Sequence, residues 1–217
     1  MKCSNKLNWL VASIIFFGLS MPVFSQTLKD VFSNSETSIT YLGIEFSKTT
    51  LLDTGNPADI KNRLYASINQ LIVNEPKKYG LKEAFHKSNI GYDFGAVTQS
   101  NAQANVNEIL STNSADFNRF KESDITAIVK KLSLVDKKRV GLLFIMGAMR
   151  KVDNKSDAAI WVTLIDMKTK KVLMTERVVS KGKGGIGFRN YWASTIRHLL
   201  DDIEDDKYKS WQSKYGG

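Results

Sequence analysis

A chain of 217 residues with 42% hydrophobic and 24% charged side chains can bury about 70% of its unfolded surface as one domain, which excludes a disordered polar polymer. One cysteine, Cys3, excludes a disulfide framework and a cysteine-based zinc centre. A net charge of +9 favours anionic partners but is equally the mark of a lysine-rich solvated surface, and it does not specify a fold.

The chain opens with Lys2 and Lys6, an apolar run from Leu7 to Phe24, and Val23-Phe24-Ser25 ahead of Gln26. A short basic segment, an apolar stretch and small or aliphatic residues before the cleavage point make a signal peptide over residues 1–25. An uncleaved membrane anchor is the alternative, but Asn8, Ser13 and Pro22 interrupt the run. Cys3 precedes the apolar stretch, so no lipid anchor is expected. The remainder, 26–217, reads as a single exported domain, periplasmic or secreted, with no cysteine, no further transmembrane segment and a charge reduced to +7 by loss of the two lysines. Export makes nucleic acid an unexpected partner.

Ser38–Phe46 is β-branched and aromatic and predicts a first strand. Asn56-Pro57-Ala58-Asp59 supplies a cap oxygen, a proline for the first helical position and an acid for the first turn. The helix it opens has Ile60, Leu64, Ile68, Leu71 and Ile72 on one stripe and ends before Pro76. From Pro76 to Ser123 the chain is polar and amide-rich. Short helices are predicted at about Leu81–His86 and after Ser100, the latter with Ala102, Val106, Ile109 and Leu110 on one side, and Ser111–Ser114 reads as a loop. Ile125, Ile128, Val129 and Leu132 place a helix at about 124–134, followed by a turn through Asp136-Lys137-Lys138.

Val140–Met149 is almost continuously apolar, the pattern of a strand buried on both faces. Ile160–Asp166 and Val172–Val179 form an antiparallel hairpin across Met167–Lys170, with Glu176 and Arg177 on opposite faces. Lys181–Gly187 then leads into a long closing helix with Phe188, Trp192, Ile196, Leu199, Leu200 and Ile203 on one stripe. Tyr208, Trp211 and Tyr215 continue at helical spacing and are read as packing on the domain rather than as a membrane or glycan surface. The expected fold class is α+β: a single sandwich of about four strands, a mixed sheet ending in an antiparallel hairpin, with helices mainly on one face and the long C-terminal helix closing it.

The hairpin from Thr163-Leu164-Ile165-Asp166 to Val172-Leu173, followed by a long helix, resembles in arrangement the α/β domain of the TolB amino-terminal and curli-secretion type. The segments Tyr41–Phe46, Glu75–Tyr79, Ser114–Arg119 and Phe188–Trp192 together resemble a family of exported proteins from Gram-negative bacteria. That second resemblance implies export and carries no catalytic residue.

Three clusters are candidates for chemistry. Leu51-Leu52-Asp53-Thr54-Gly55 has the form of an aspartic protease loop, but a capped helix follows at once and no second such loop exists to supply the paired carboxylate. The glycine-rich Lys181–Gly187, opening onto Phe188 and Arg189, is the anion-site candidate. Its binding residues would be Lys181, Lys183 and Arg189, since amides at a helix start and nearby cations attract phosphate or carboxylate. It lacks the Lys-Ser or Lys-Thr of a P-loop, and a hinge that needs glycine for backbone reasons is the plainer reading. His86 and His198 have no partner at ligand spacing, and the acidic run Asp201–Asp206 lacks the alternation of a calcium loop. No metal, cofactor or catalytic residue is expected. The function expected is that of an exported, non-catalytic binding or envelope-assembly protein whose partner is an envelope protein or an anionic envelope component. A hydrolase built on carboxylates such as Asp53 and Asp116, and a structural oligomer subunit, are the alternatives.

Overall fold

The structure is a computed structural model that describes residues 27–134, 139–152 and 155–217. The predicted signal peptide and the turn at Asp136–Lys138 lie outside the described residues. Asn56 caps the first long helix as predicted, its Oδ1 accepting from Ala58 N–H at 3.0 Å and Asp59 N–H at 3.2 Å.

In chain order the elements are α1 (Leu28–Ser33), β1 (Ile39–Glu45), β2 (Thr50–Leu52), α2 (Pro57–Asp59), a π-helical turn (Ile60–Leu64), α3 (Tyr65–Asn74), α4 (Leu81–Ala84), β3 (Ile90–Tyr92), α5 (Gly95–Asn101), two 3-10 turns (Val106–Glu108 and Ser114–Asn118) and α6 (Glu122–Lys131). Then come β4 (Val140–Val152), β5 (Lys155–Asp166), β6 (Lys171–Gly182), α7 (Gly187–Asp202), a second π turn (Ile203–Lys207) and α8 (Tyr208–Tyr215).

The strands make one mixed sheet in the order β3-β1-β4-β5-β6, with β2 also on β4. The β1–β3, β1–β4 and β2–β4 pairs are parallel, whereas β4–β5 and β5–β6 are antiparallel. Six strands are described where four were expected. The two extra, β2 and β3, are three residues each and arise from pairing rather than from any alternation in their own sequence.

Two cores lie on opposite faces of the sheet. The larger gathers Tyr41, Ile44, Phe144, Ile160 and Val162 from the strands against Ile68 and Ile72 of α3 and Trp192, Ile196 and Leu199 of α7. The smaller gathers Leu42, Leu143, Ile145, Trp161 and Ile165 against Val97 of α5 and Ile125 and Val129 of α6. Most helices lie on the face of the larger core, which takes α1, α3, α4, α7 and α8, while α5 and α6 cover the other face; each helix shows one apolar stripe, and a stripe does not reveal which side of a sheet it covers. Tyr208, Trp211 and Tyr215 pack around Phe32 of α1, with ring centroids 5.6, 6.3 and 5.9 Å away.

The helix predicted after Ser100 is displaced. It spans Gly95–Asn101, and the residues beyond it are drawn to the sheet: Leu51 N–H donates to Ile109 O at 2.6 Å and Ser111 N–H to Leu51 O at 3.1 Å. Ile109 and Leu110 therefore flank β2 instead of continuing a helical stripe.

The outer edge of β1 is completed by side chains. β3 pairs with it only as far as Tyr41. Past the bulge at Gly43, Asn69 Oδ1 accepts from Ile44 N–H at 2.7 Å and its Nδ2 donates to Ile44 O at 3.0 Å. Asn101 Nδ2 donates to the same carbonyl at 3.0 Å and its Oδ1 accepts from Phe46 N–H at 2.6 Å. One amide from each helical layer thus stands where a neighbouring strand would. Gly43 has φ +99°, and a Cβ there would lie 2.8 Å from Phe94 and 2.9 Å from Asn69 Oδ1, so the bulge needs glycine.

A basic groove at the start of the closing helix

β6 ends at Gly182, and the next four residues turn the chain into α7. Gly184 and Gly187 have φ +83° and +76°, and a Cβ on Gly185 would lie 2.8 Å from the Asn190 carbonyl carbon and 2.9 Å from Tyr191 N. The glycines therefore have the backbone role expected of a hinge, and they fold the loop back against the first turn of α7. That turn has Ile186 as its N-cap residue, which offers no side-chain hydrogen bond, and it contains no acidic residue. Its leading N–H groups and the positive end of the helix dipole are left for an external acceptor.

Loop, helix start and the far end of α3 enclose a cavity of about 480 Å³, a volume suited to a small molecule or a headgroup. Lys78, Lys183, Arg189 and Arg197 line it together with His198, against the two carboxylates Glu75 and Asp201. Four cations against two carboxylates leave a net of two positive charges. Lys78 is held by Glu75 at 3.2 Å, whereas no ion pair engages Lys183, Arg189 or Arg197 among the described residues. Arg189 Nε donates to Asn190 Oδ1 at 3.3 Å, and Asn190 Nδ2 donates to Ile186 O at 3.1 Å, which steadies the helix start without engaging the guanidinium tip.

Of the predicted anion residues, Lys183 and Arg189 meet in this cavity. Lys181 is exposed on β6, opposite Asp157 of β5, and is not among the lining residues. Lys78, Arg197 and His198 were not anticipated. Part of the signal was in the sequence: Ser194, Arg197 and Asp201 recur along the polar side of a helix whose other side is the apolar stripe. Lys78 comes from a turn over a hundred residues earlier, and only the packing of α3 on α7 brings it near.

The other candidates separate. Asp116 accepts from Ser111 Oγ at 2.7 Å, Asp53 lies in the bend after β2, and no hydrogen bond joins them. His86 stacks on Tyr208 with centroids 4.1 Å apart. The carboxylates Asp201, Asp202, Glu204, Asp205 and Asp206 are all exposed. Among the described residues no group of three or more His, Cys, Asp or Glu side chains is placed to hold a metal ion, and no helix is long and apolar enough to cross a membrane.

One ionisable group escaped the sequence reading because it sits inside a predicted strand. Glu45, at the carboxyl end of β1, is fully buried. Its Oε1 accepts from Ser47 N–H and Ser100 Oγ, both at 2.9 Å, while Oε2 has no partner. Burial pushes its pKa up, against the lowering effect of those hydrogen bonds.

No family profile and no curated protein matches the chain. Among solved structures, it is similar in outline to a hypothetical protein from Chlamydia trachomatis at 8% identity and TM-score 0.36, over 82% of this chain and 95% of that one. It is also similar to a neuraminyllactose-binding hemagglutinin homolog from Helicobacter pylori at 7% identity and TM-score 0.30, over 84% of this chain and 92% of that one. Both are bacterial proteins, and neither likeness bears on the site.

Proposed function

We propose that this is an exported, non-catalytic binding protein that holds an anionic component of the bacterial envelope in the groove between α7 and the end of α3. The observation that carries the reading is the convergence of three cations that make no ion pair among the described residues, Lys183, Arg189 and Arg197, on one cavity at a helix start with no side-chain cap. Each element attracts negative charge, and together they favour phosphate or carboxylate over a neutral ligand. The basic balance of the whole chain acts in the same direction at longer range.

The test is recovery from envelope extract on the immobilised chain from Gln26 onward, at low and high salt, with bound material identified by mass spectrometry. The expected result is a phosphate- or carboxylate-bearing component whose recovery falls with salt and is lost from the triple variant Lys183→Ala, Arg189→Ala, Arg197→Ala. Equal recovery by the triple variant overturns the assignment of the groove.

A further inference from the structure

We infer that the loop Lys183–Gly187 docks the protein on an anionic lipid bilayer, with Ile186 entering the boundary between headgroups and acyl chains while a lipid phosphate occupies the basic groove. This inference rests on the anion-binding reading of that groove and names the source of the anion. Its starting point is Ile186, which is 94% exposed. Among the described residues the other exposed large apolar side chains, Tyr92, Val106, Leu110 and Val179, range only from 36% to 43%. A scattered apolar residue at partial exposure is ordinary, but an aliphatic side chain held almost wholly in water at the tip of a loop is not explained by packing. Gly185 and Gly187 flank it, so no neighbouring side chain screens it.

The charge around it suits an anionic surface. Lys183 precedes Ile186 by three residues and Arg189 follows by three; both are exposed, as is Lys181 on the adjoining strand. An apolar tip ringed by cations is the arrangement that enters a negatively charged interface, because the cations meet headgroup phosphates as the tip leaves water. A free phosphate or a soluble glycan would use the cations and leave Ile186 in water. The apolar stripe of α7 is committed to the larger core through Trp192, Ile196 and Leu199, so α7 itself is not available to lie in the interface. Docking therefore relies on one side chain and a few charges, and it is reversible.

The experiment uses the chain from Gln26 onward, which carries both cores, and compares vesicles of phosphatidylglycerol and phosphatidylcholine with vesicles of phosphatidylcholine alone. Glycerol phosphate serves as the soluble probe. Because residues 26–217 contain no cysteine, Ile186→Cys and the control Lys209→Cys can each carry one environment-sensitive fluorophore. The expected results are binding to the anionic vesicles only, a loss of about tenfold in Ile186→Ser, and a loss of about fivefold for each of Lys183→Ala and Arg189→Ala. The label at 186 shifts to shorter wavelength on the anionic vesicles and the label at 209 does not. Glycerol phosphate binding is unchanged in Ile186→Ser. Undiminished vesicle binding by Ile186→Ser, or no emission shift at 186, overturns the insertion. Binding of glycerol phosphate without binding of vesicles overturns the lipid inference and leaves the anion groove standing. Failure to bind either probe removes both.

Discussion

The end of β1 and the loop entering α7 are both crowded with polar groups, but they direct them oppositely. At the end of β1 the polar atoms turn inward: Asn69, Asn101 and Ser100 bond to backbone or to Glu45, all within the fold. In the loop they turn outward: among the described residues no ion pair engages Lys183 or Arg189, and the start of α7 has no side-chain cap. The difference teaches how to tell a structural polar cluster from a binding one. A group that completes the sheet is lost at a cost in stability, whereas a group that completes nothing internally is maintained only by what it meets outside.

Substitutions sharpen this contrast. The largest effect is expected at the β1 edge, where Asn69→Ala or Asn101→Ala each costs about 2–3 kcal/mol in urea denaturation, because two hydrogen bonds go and a buried N–H is orphaned. Because both amides donate to the carbonyl of Ile44, either one alone still satisfies it, and the double variant, which leaves it with no donor, should lose more than the sum of the two. Strict additivity would show that the two amides act independently. Next comes Gly43→Ala, expected to cost about 1–3 kcal/mol through its positive φ and its contact with Phe94; an unchanged midpoint would mean that the bulge relaxes freely.

Glu45 gives a smaller effect with a definite sign. Burial raises its pKa above the ordinary 4.5, so between the unfolded and folded values the native state binds more protons. Stability is therefore greatest below the unfolded value and falls as pH rises toward the folded one. Glu45→Gln should abolish that slope, its thermal midpoint exceeding the parent's at about pH 8 more than at about pH 4. Parallel pH profiles would remove the buried carboxyl from the explanation. The smallest effect belongs to the loop, where Lys183→Ala with Arg189→Ala should leave stability within about 0.5 kcal/mol while anion binding falls. A marked loss of stability there would make the loop structural and break the comparison.

The strongest sequence signals were those with a period. β1, β4 and the β5–β6 hairpin were visible because β-branched and apolar runs of that length have few other uses. α7 was visible because Trp192, Ile196, Leu199 and Ile203 keep helical spacing. What the sequence hid was decided at a distance. β2 exists because Leu51 finds Ala148–Arg150 on one side and Ile109 on the other. α5 ends at Asn101, whose amide serves the backbone at the end of β1, fifty-seven residues away at Ile44 and fifty-five at Phe46. For the groove, Lys183 and Arg189 were legible from the glycine-rich approach to a helix, whereas Lys78 and Arg197 depended on how α3 docks. Glu45 was hidden by its own surroundings, since a charged residue at the end of an apolar strand reads as the point where the strand meets water.

The aromatic cluster around Phe32 carries a consequence for how the chain reaches its final state. Gln212 Nε2 donates to Phe32 O at 2.9 Å across a separation of 180 residues, so the first described helix is seated by the last. Closing a loop of that length is slow because little local structure guides it. During synthesis α1 must wait, with Val31 and Phe32 uncovered, until α8 has been made. The same proximity brings the two ends of the described fold together, so a circularly permuted chain that joins α8 to α1 and opens at an exposed turn should retain both cores.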